Sequence, residues 1–148
     1  MRILLKFPSR ERPQKLLEVY KKYISMASNP SLIYGLITLD SNDYTATPEL
    51  IKNLENVHSQ TQIIVEISGS KIKAVNRDMD KAPEYDIILL ASDDMIPQII
   101  GYDEIIRQNM KNLYPDTDGV LWFNGDVVFD VNLLDVLHPY IKDNSSFV

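Results

Sequence analysis

Two adjacent carboxylates, Asp93 and Asp94, come directly after the most apolar stretch of the chain, Ile87 to Ala91. At the end of a buried strand, neighbouring anions repel unless something positive lies close by. A divalent cation meets that need. Magnesium and manganese prefer oxygen ligands, often taking one or two carboxylates and completing their shells with phosphate and water. The pair also suits a plainer role, capping the turn that follows and facing water. Asp40 ends an earlier apolar run, Leu32 to Leu39. Its carboxylate only accepts hydrogen bonds, which fits an imide hydrogen, a sugar hydroxyl or an Asx-turn. Arg10 and Arg12 follow the first apolar run, and Arg77 follows a short helical stretch. Guanidinium groups can steady a diphosphate or pack beside a base. The alternatives are plain surface charge for Arg10 and Arg12, and a solvated helix face or salt bridge to Asp80 or Glu84 for Arg77.

These groups must be positioned by the elements around them. Ile3 to Phe7, Leu32 to Leu39, Gln62 to Ile67, Ile87 to Ala91 and Val120 to Phe123 read as five buried strands. Between them, Leu16, Leu17, Tyr20, Tyr23 and Ile24 recur at helical spacing within Gln14 to Met26. Ser9 or Glu11 is expected to cap that helix, with Pro13 in its first turn. Thr47 caps a second helix, striped by Leu50, Ile51, Leu54 and Val57. Further helices are predicted over about Ile72 to Met79, Tyr102 to Asn112 and Val131 to Ile141. Alternating strands and helices predict an α/β domain: a Rossmann-like three-layer α/β/α sandwich with a mostly parallel sheet covered on both faces. Ligands of such sheets bind beyond the carboxyl ends of the strands, where the polar clusters lie.

Composition narrows the classes. The 148 residues suit one domain, with no linker or repeat to divide them. A net charge of -6 disfavours nucleic acid, although a bound cation and one or two arginines can still neutralise a diphosphate locally. Without cysteine there is no disulfide, thiolate zinc site or cysteine nucleophile. His58 and His138 are the only histidines, which disfavours a multi-histidine metal cluster. The first apolar run is too short for a signal peptide or membrane span, so the expected compartment is the cytoplasm. No Gly-rich loop follows the first strand, against a Rossmann dehydrogenase or P-loop enzyme. Lys6-Phe7-Pro8 stands where a signalling receiver domain carries its paired acids.

The order of the motifs resembles the GT-A glycosyltransferases, particularly family-2-like inverting enzymes. Pro8-Ser9-Arg10-Glu11-Arg12-Pro13 is similar to the family's base-cradling turn, and Asp40 to the acid that contacts uracil or ribose. Ser68-Gly69-Ser70 and the segment ending Asn76-Arg77 match the next turn and helix. Tyr85-Asp86 through Asp94 looks like the strand closing on the Asp-x-Asp signature, although Ala91-Ser92-Asp93-Asp94 lacks the first acid. The resemblance covers roughly Ile3 to Asp126. It implies transfer of a sugar from a nucleoside diphosphate sugar, above all a UDP-sugar, to an unknown acceptor.

The resemblance further implies Mn2+ or Mg2+ on Asp94 and Asp93, with His138 a weak further ligand. Pro8, Ser9, Arg10, Arg12, Asp40, Arg77 and Asp93 would contact the nucleotide. Family members continue beyond the fifth strand, where the acceptor site and catalytic base lie. In this chain Asp126 is the candidate base, in a segment, Asn124-Gly125-Asp126, that reads equally as a tight turn. His138 fits a place near the end of the last helix as well. A second expectation follows from that shortness: a module that binds nucleotide-sugar and metal and needs a partner chain or homo-oligomer for turnover.

Overall fold

The computed structural model describes residues 1–116. Four strands form one parallel sheet: β1 (Ile3–Ser9), β2 (Ile33–Leu39), β3 (Thr61–Val65) and β4 (Ile87–Leu90), in the order β3-β2-β1-β4. Helices α1 (Pro13–Ser25), α2 (Pro48–Glu55), α3 (Lys71–Asn76) and α4 (Tyr102–Leu113) connect or follow them. The α/β class and parallel sheet are as expected. The expected fifth strand, Val120 to Phe123, and last helix, Val131 to Ile141, lie outside the described residues.

Alternation along the strands divides the sheet into two faces. Ile3, Leu5 and Phe7 of β1 pack with Ile33, Ile37 and Leu39 of β2 under α1, α2 and α4. Of the stripe foreseen for α1, Leu16, Tyr20 and Tyr23 are buried, and Leu17 and Ile24 are partly buried against the same core. Phe7 meets Tyr20 and Tyr23 edge-on, with ring centroids 6.4 and 6.1 Å apart, and Tyr23 meets Tyr102 at 5.6 Å. Each such pair adds about 0.5–1.5 kcal/mol beyond area burial. Gly35 lets the Tyr20 ring approach β2 closely, since an added Cβ would stand 2.9 Å from Tyr20 Cζ.

The opposite face holds Leu4, Lys6, Leu36 and Thr38, all fully buried, with α3 against β1 and β2. Among the described residues, Ile88 and Leu90 of β4 on this second face are 51% and 45% exposed. The side of α3 follows from topology. The chain moves from β1 to β2 to β3 in one direction and then returns past β1 to β4, so a right-handed crossover places α3 on the other face. That reversal makes the carboxyl ends of β1 and β4 the switch point of the sheet.

Several boundaries differ from the sequence expectations. β1 runs on through Pro8 to Ser9. Pairing with β4 has ended at Lys6–Leu90, so the missing N–H of Pro8 disrupts no ladder on that side. Neither Ser9 nor Glu11 caps α1. Arg12 is the N-cap, without a side-chain bond, and Pro13 opens the helix as foreseen. Thr47 does cap α2, its hydroxyl accepting from the Leu50 N–H at 3.2 Å. α3 stops at Asn76, because Arg77 turns to extended backbone and Asp78 takes a left-handed conformation.

Candidate functional site

At the switch point the strand ends enclose a cleft of about 330 Å³. Pro8, Ser9, Arg10 and Arg12 line it from the end of β1, Thr38 and Asp40 from β2, Ser68 to Lys71 from the turn into α3, and Ser92, Asp93 and Asp94 from the end of β4. Six of the seven residues expected at the nucleotide thus converge, as do both acids of the pair.

Their charges interlock across the switch point. Asp93 is buried, accepting from Arg12 Nη1 at 2.9 Å and from the Ser9 hydroxyl at 3.1 Å. Asp40 accepts from the Ser68 N–H at 2.8 Å, and its other oxygen lies 3.5 Å from Arg10 Nη1. The acid side chains are nearly covered, whereas Arg10 and Arg12 are 49% and 58% exposed. Ion pairs with one exposed partner are worth about 0–1 kcal/mol, so a ligand can replace either arginine at small cost. Asp94 is more open. The hydroxyl of Ser92 donates to it and holds its carboxyl below the usual range.

A strained turn presents the two arginines. Glu11 lies between them at φ 58°, in the left-handed region, at a cost of about 1–2 kcal/mol for a residue with a Cβ. Its N–H is held at 2.7 Å by Asp43, which also accepts from the Thr45 N–H and hydroxyl. Burial alone would raise the Asp43 carboxyl, but these donors outweigh it and hold it below the usual range. Asp43 thereby ties the turn after β1 to the loop after β2.

Arg77 does not reach the cleft. It stands 13% exposed behind Asp40, at 3.8 Å. Its five N–H donors are met by Asp78, Ser68 Oγ and the carbonyls of Glu66, Leu39 and Ile64. No donor remains for a diphosphate, and the guanidinium instead staples the ends of β2 and β3. The foreseen partners Asp80 and Glu84 are replaced by Asp78 and Asp40. Asp126 and His138, expected as base and metal ligand, lie outside the described residues.

Three contributors carried no signal in the sequence reading. Lys71 lines the cleft from the first turn of α3. Thr38 lies at its floor, fully buried. Behind Thr38, Lys6 is also buried, donating to Thr38 Oγ1 at 2.5 Å and to the Arg77 carbonyl at 2.6 Å. Burial pushes the Lys6 ammonium down to about 8, with Arg77 adding to the effect and Asp78 opposing it. The alternation of β1 could have flagged Lys6, a charge between Leu4 and Pro8 on the inner side of a strand.

The donor chemistry suits a divalent cation only in part. Among the described residues, no three histidine, aspartate or glutamate side chains converge to form a cage. Asp93 and Asp94 can offer two carboxylates, which fits a magnesium or manganese ion completed by phosphate oxygens and water. Among the described residues no helix is long and apolar enough to cross a membrane. No family model, curated protein or solved structure matches this chain.

Proposed function

We propose that the cleft binds a nucleoside diphosphate sugar, a uridine one above all, with Mn2+ or Mg2+, and that the protein transfers the sugar to an acceptor hydroxyl. One observation carries the reading. Arginines and aspartates as far apart in the chain as Arg12 and Asp93 are brought into one cleft at the switch point, Arg10 and Arg12 exposed and their partners Asp40 and Asp93 covered. That is an arrangement an anionic ligand can enter by taking over the arginines, with a cation then neutralising the acids left behind.

In this reading Arg10, Arg12 and Lys71 hold the diphosphate, Asp40 accepts from the base or ribose, and Asp93 and Asp94 hold the cation. A bound cation offsets charge on the departing diphosphate. Transfer requires the acceptor oxygen to bond to the anomeric carbon as the bond to the diphosphate oxygen breaks, the hydroxyl proton passing to a base. The carboxylates lining the described cleft are Asp40, Asp93 and Asp94, and all three are assigned to the donor. Asp126 remains the sequence candidate for the base. A second reading is a donor-binding module completed by a partner chain or a second copy. Donor turnover measured with and without acceptors separates the two.

Calorimetric titration of UDP, with manganese present and then chelated, tests the site. Binding is expected with manganese, weakened at least tenfold by chelation and by Asp93→Ala or Asp94→Ala. Metal-independent binding unchanged in both variants, or no binding at all, overturns the reading.

A further inference from the structure

The turn that carries Arg10 and Arg12 holds a backbone shape that its own residues disfavour. Glu11, between the two arginines, stands at φ 58°, where a residue with a Cβ is strained and the unsupported chain returns to negative φ. Reversing that φ re-aims the residues on either side, so the directions of both arginines depend on it. A contact from another loop opposes the return. The Glu11 N–H donates to Asp43 Oδ2 at 2.7 Å, and Asp43 is itself buried in the loop after β2. Its other oxygen accepts from the Thr45 N–H and hydroxyl at 2.8 and 2.7 Å, and its own N–H donates to the Asp40 carbonyl at 3.0 Å. Arg10, Arg12 and Asp40 line the cleft, whereas Glu11 and Asp43 stand behind its wall. Strain of this kind persists where surrounding contacts over-determine it, and it collects at ligand clamps.

We propose that Asp43 is a positioning residue of the cleft. By holding Glu11 left-handed it aims Arg10 and Arg12 at the diphosphate, and by bonding the Asp40 carbonyl it sets that turn in register with the end of β2. The inference rests on the reading of the cleft as a nucleoside diphosphate site, and adds to it a residue that acts without touching the ligand. The role demands a carboxylate. Asparagine has the same shape but only one acceptor oxygen. With two donors on Thr45 against one on Glu11, that oxygen stays with Thr45, and the amide NH2 is left facing the Glu11 N–H, donor against donor. Asp43→Asn thus cuts the tie to the turn and spares the loop.

Titration of UDP with manganese into the wild-type protein, Asp43→Asn, Glu11→Gly, the double variant of the two, and Glu11→Pro provides the test. Asp43→Asn is expected to bind about tenfold more weakly, because the turn then spends only a minor fraction of its time in the competent shape. Glu11→Gly should bind as the wild type does. Glycine takes positive φ without strain, so the double variant should recover to within about threefold of the wild type. A merely structural role for Asp43 in the Thr45 loop would not be rescued from position 11. Glu11→Pro fixes φ near about −65° and removes the N–H, at a residue whose side chain is exposed. It should reproduce the loss from the other end of the contact, and it decides alone if Asp43→Asn fails to fold. Unchanged binding in Asp43→Asn or Glu11→Pro, a loss in Glu11→Gly alone, or no rescue in the double variant overturns the positioning role while leaving the nucleotide cleft standing. No binding of UDP by the wild type overturns the cleft reading and this inference with it.

Discussion

Arginine–aspartate pairs occur at both ends of the sheet, and they are built differently. Where the strands begin, Arg107 binds Asp103 at 2.7 Å with side chains 7% and 0% exposed. Asp103 also accepts from the backbone N–H groups of Ser28 and Asn29, and Arg107 Nε donates to the Met1 carbonyl. Burial would raise the Asp103 carboxyl, but the Ser28 N–H, the Arg107 guanidinium and the Asn29 N–H outweigh it and hold it below the usual range. Where the strands end, Arg12–Asp93 and Arg10–Asp40 cover the acid and leave the arginine half in water. The sealed pair joins α4, the loop after α1 and the chain start. In each open pair the arginine can move into water, and the covered acid it leaves behind is the charge a ligand's cation would neutralise. The same two residue types thus serve cohesion at one end and, in our reading, exchange with a ligand at the other.

Removing one member from each kind of pair sharpens that contrast most. Asp103→Ala is expected to cost about 3–5 kcal/mol, since it strands a buried guanidinium and two backbone donors. Arg12→Ala should cost less, because Asp93 keeps the Ser9 hydroxyl and borders the open cleft, yet weaken UDP binding at least tenfold. Urea unfolding and calorimetry on the two variants check both halves, and comparable stability losses would erase the distinction.

A smaller effect separates the buried charge beneath the cleft from the exposed ones around it. Lys6 is held near 8 in the fold, below its ordinary 10.5. Between those values the unfolded chain binds more protons than the folded one, so the Lys6 contribution to stability rises with pH. Tyr20, raised by burial to about 12, acts oppositely. Above pH 10 the unfolded tyrosine ionises first, and stability falls. Urea midpoints should therefore climb from pH 8 toward 10 and then decline, and Lys6→Met should flatten the climb. An equal climb in the variant would remove Lys6 as its cause.

Glu11→Gly carries the smallest expected effect, a gain of about 0.5 kcal/mol as relief of the left-handed strain narrowly exceeds the added chain entropy. Thermal unfolding would register it. A loss of stability would mean that the Glu11 side chain, whose carboxylate meets Arg10 at 3.3 Å, outweighs the strain.

Much of the fold was legible because burial writes itself into residue type. Apolar runs marked all four described strands, helical spacing marked the inner face of α1, and Thr47 marked the start of α2. Turn detail was less legible. Ser9 reads as a helix cap, but its hydroxyl is spent on Asp93, and Glu11 reads as a capping alternative, but its backbone is pinned by Asp43. Both depend on partners from other loops. Arg77 shows the same limit. A local reading places it on a helix face near a ligand, whereas the carbonyls that consume its donors belong to strands far from it in the chain.

The sequence by itself determined the α/β layering, the strand ends as the region of interest, and Ser9, Arg10, Arg12, Asp40, Asp93 and Asp94 as its candidate groups. Periodicity and polarity are local properties, and each of these follows from them. Only the tertiary structure decided the strand order, the pairing of Arg12 with Asp93, the withdrawal of Arg77 into the scaffold and the placement of Lys6 behind Thr38. Those are distances between atoms remote in the chain. They are set by which strand lies beside which and by the cost of leaving a buried donor without an acceptor.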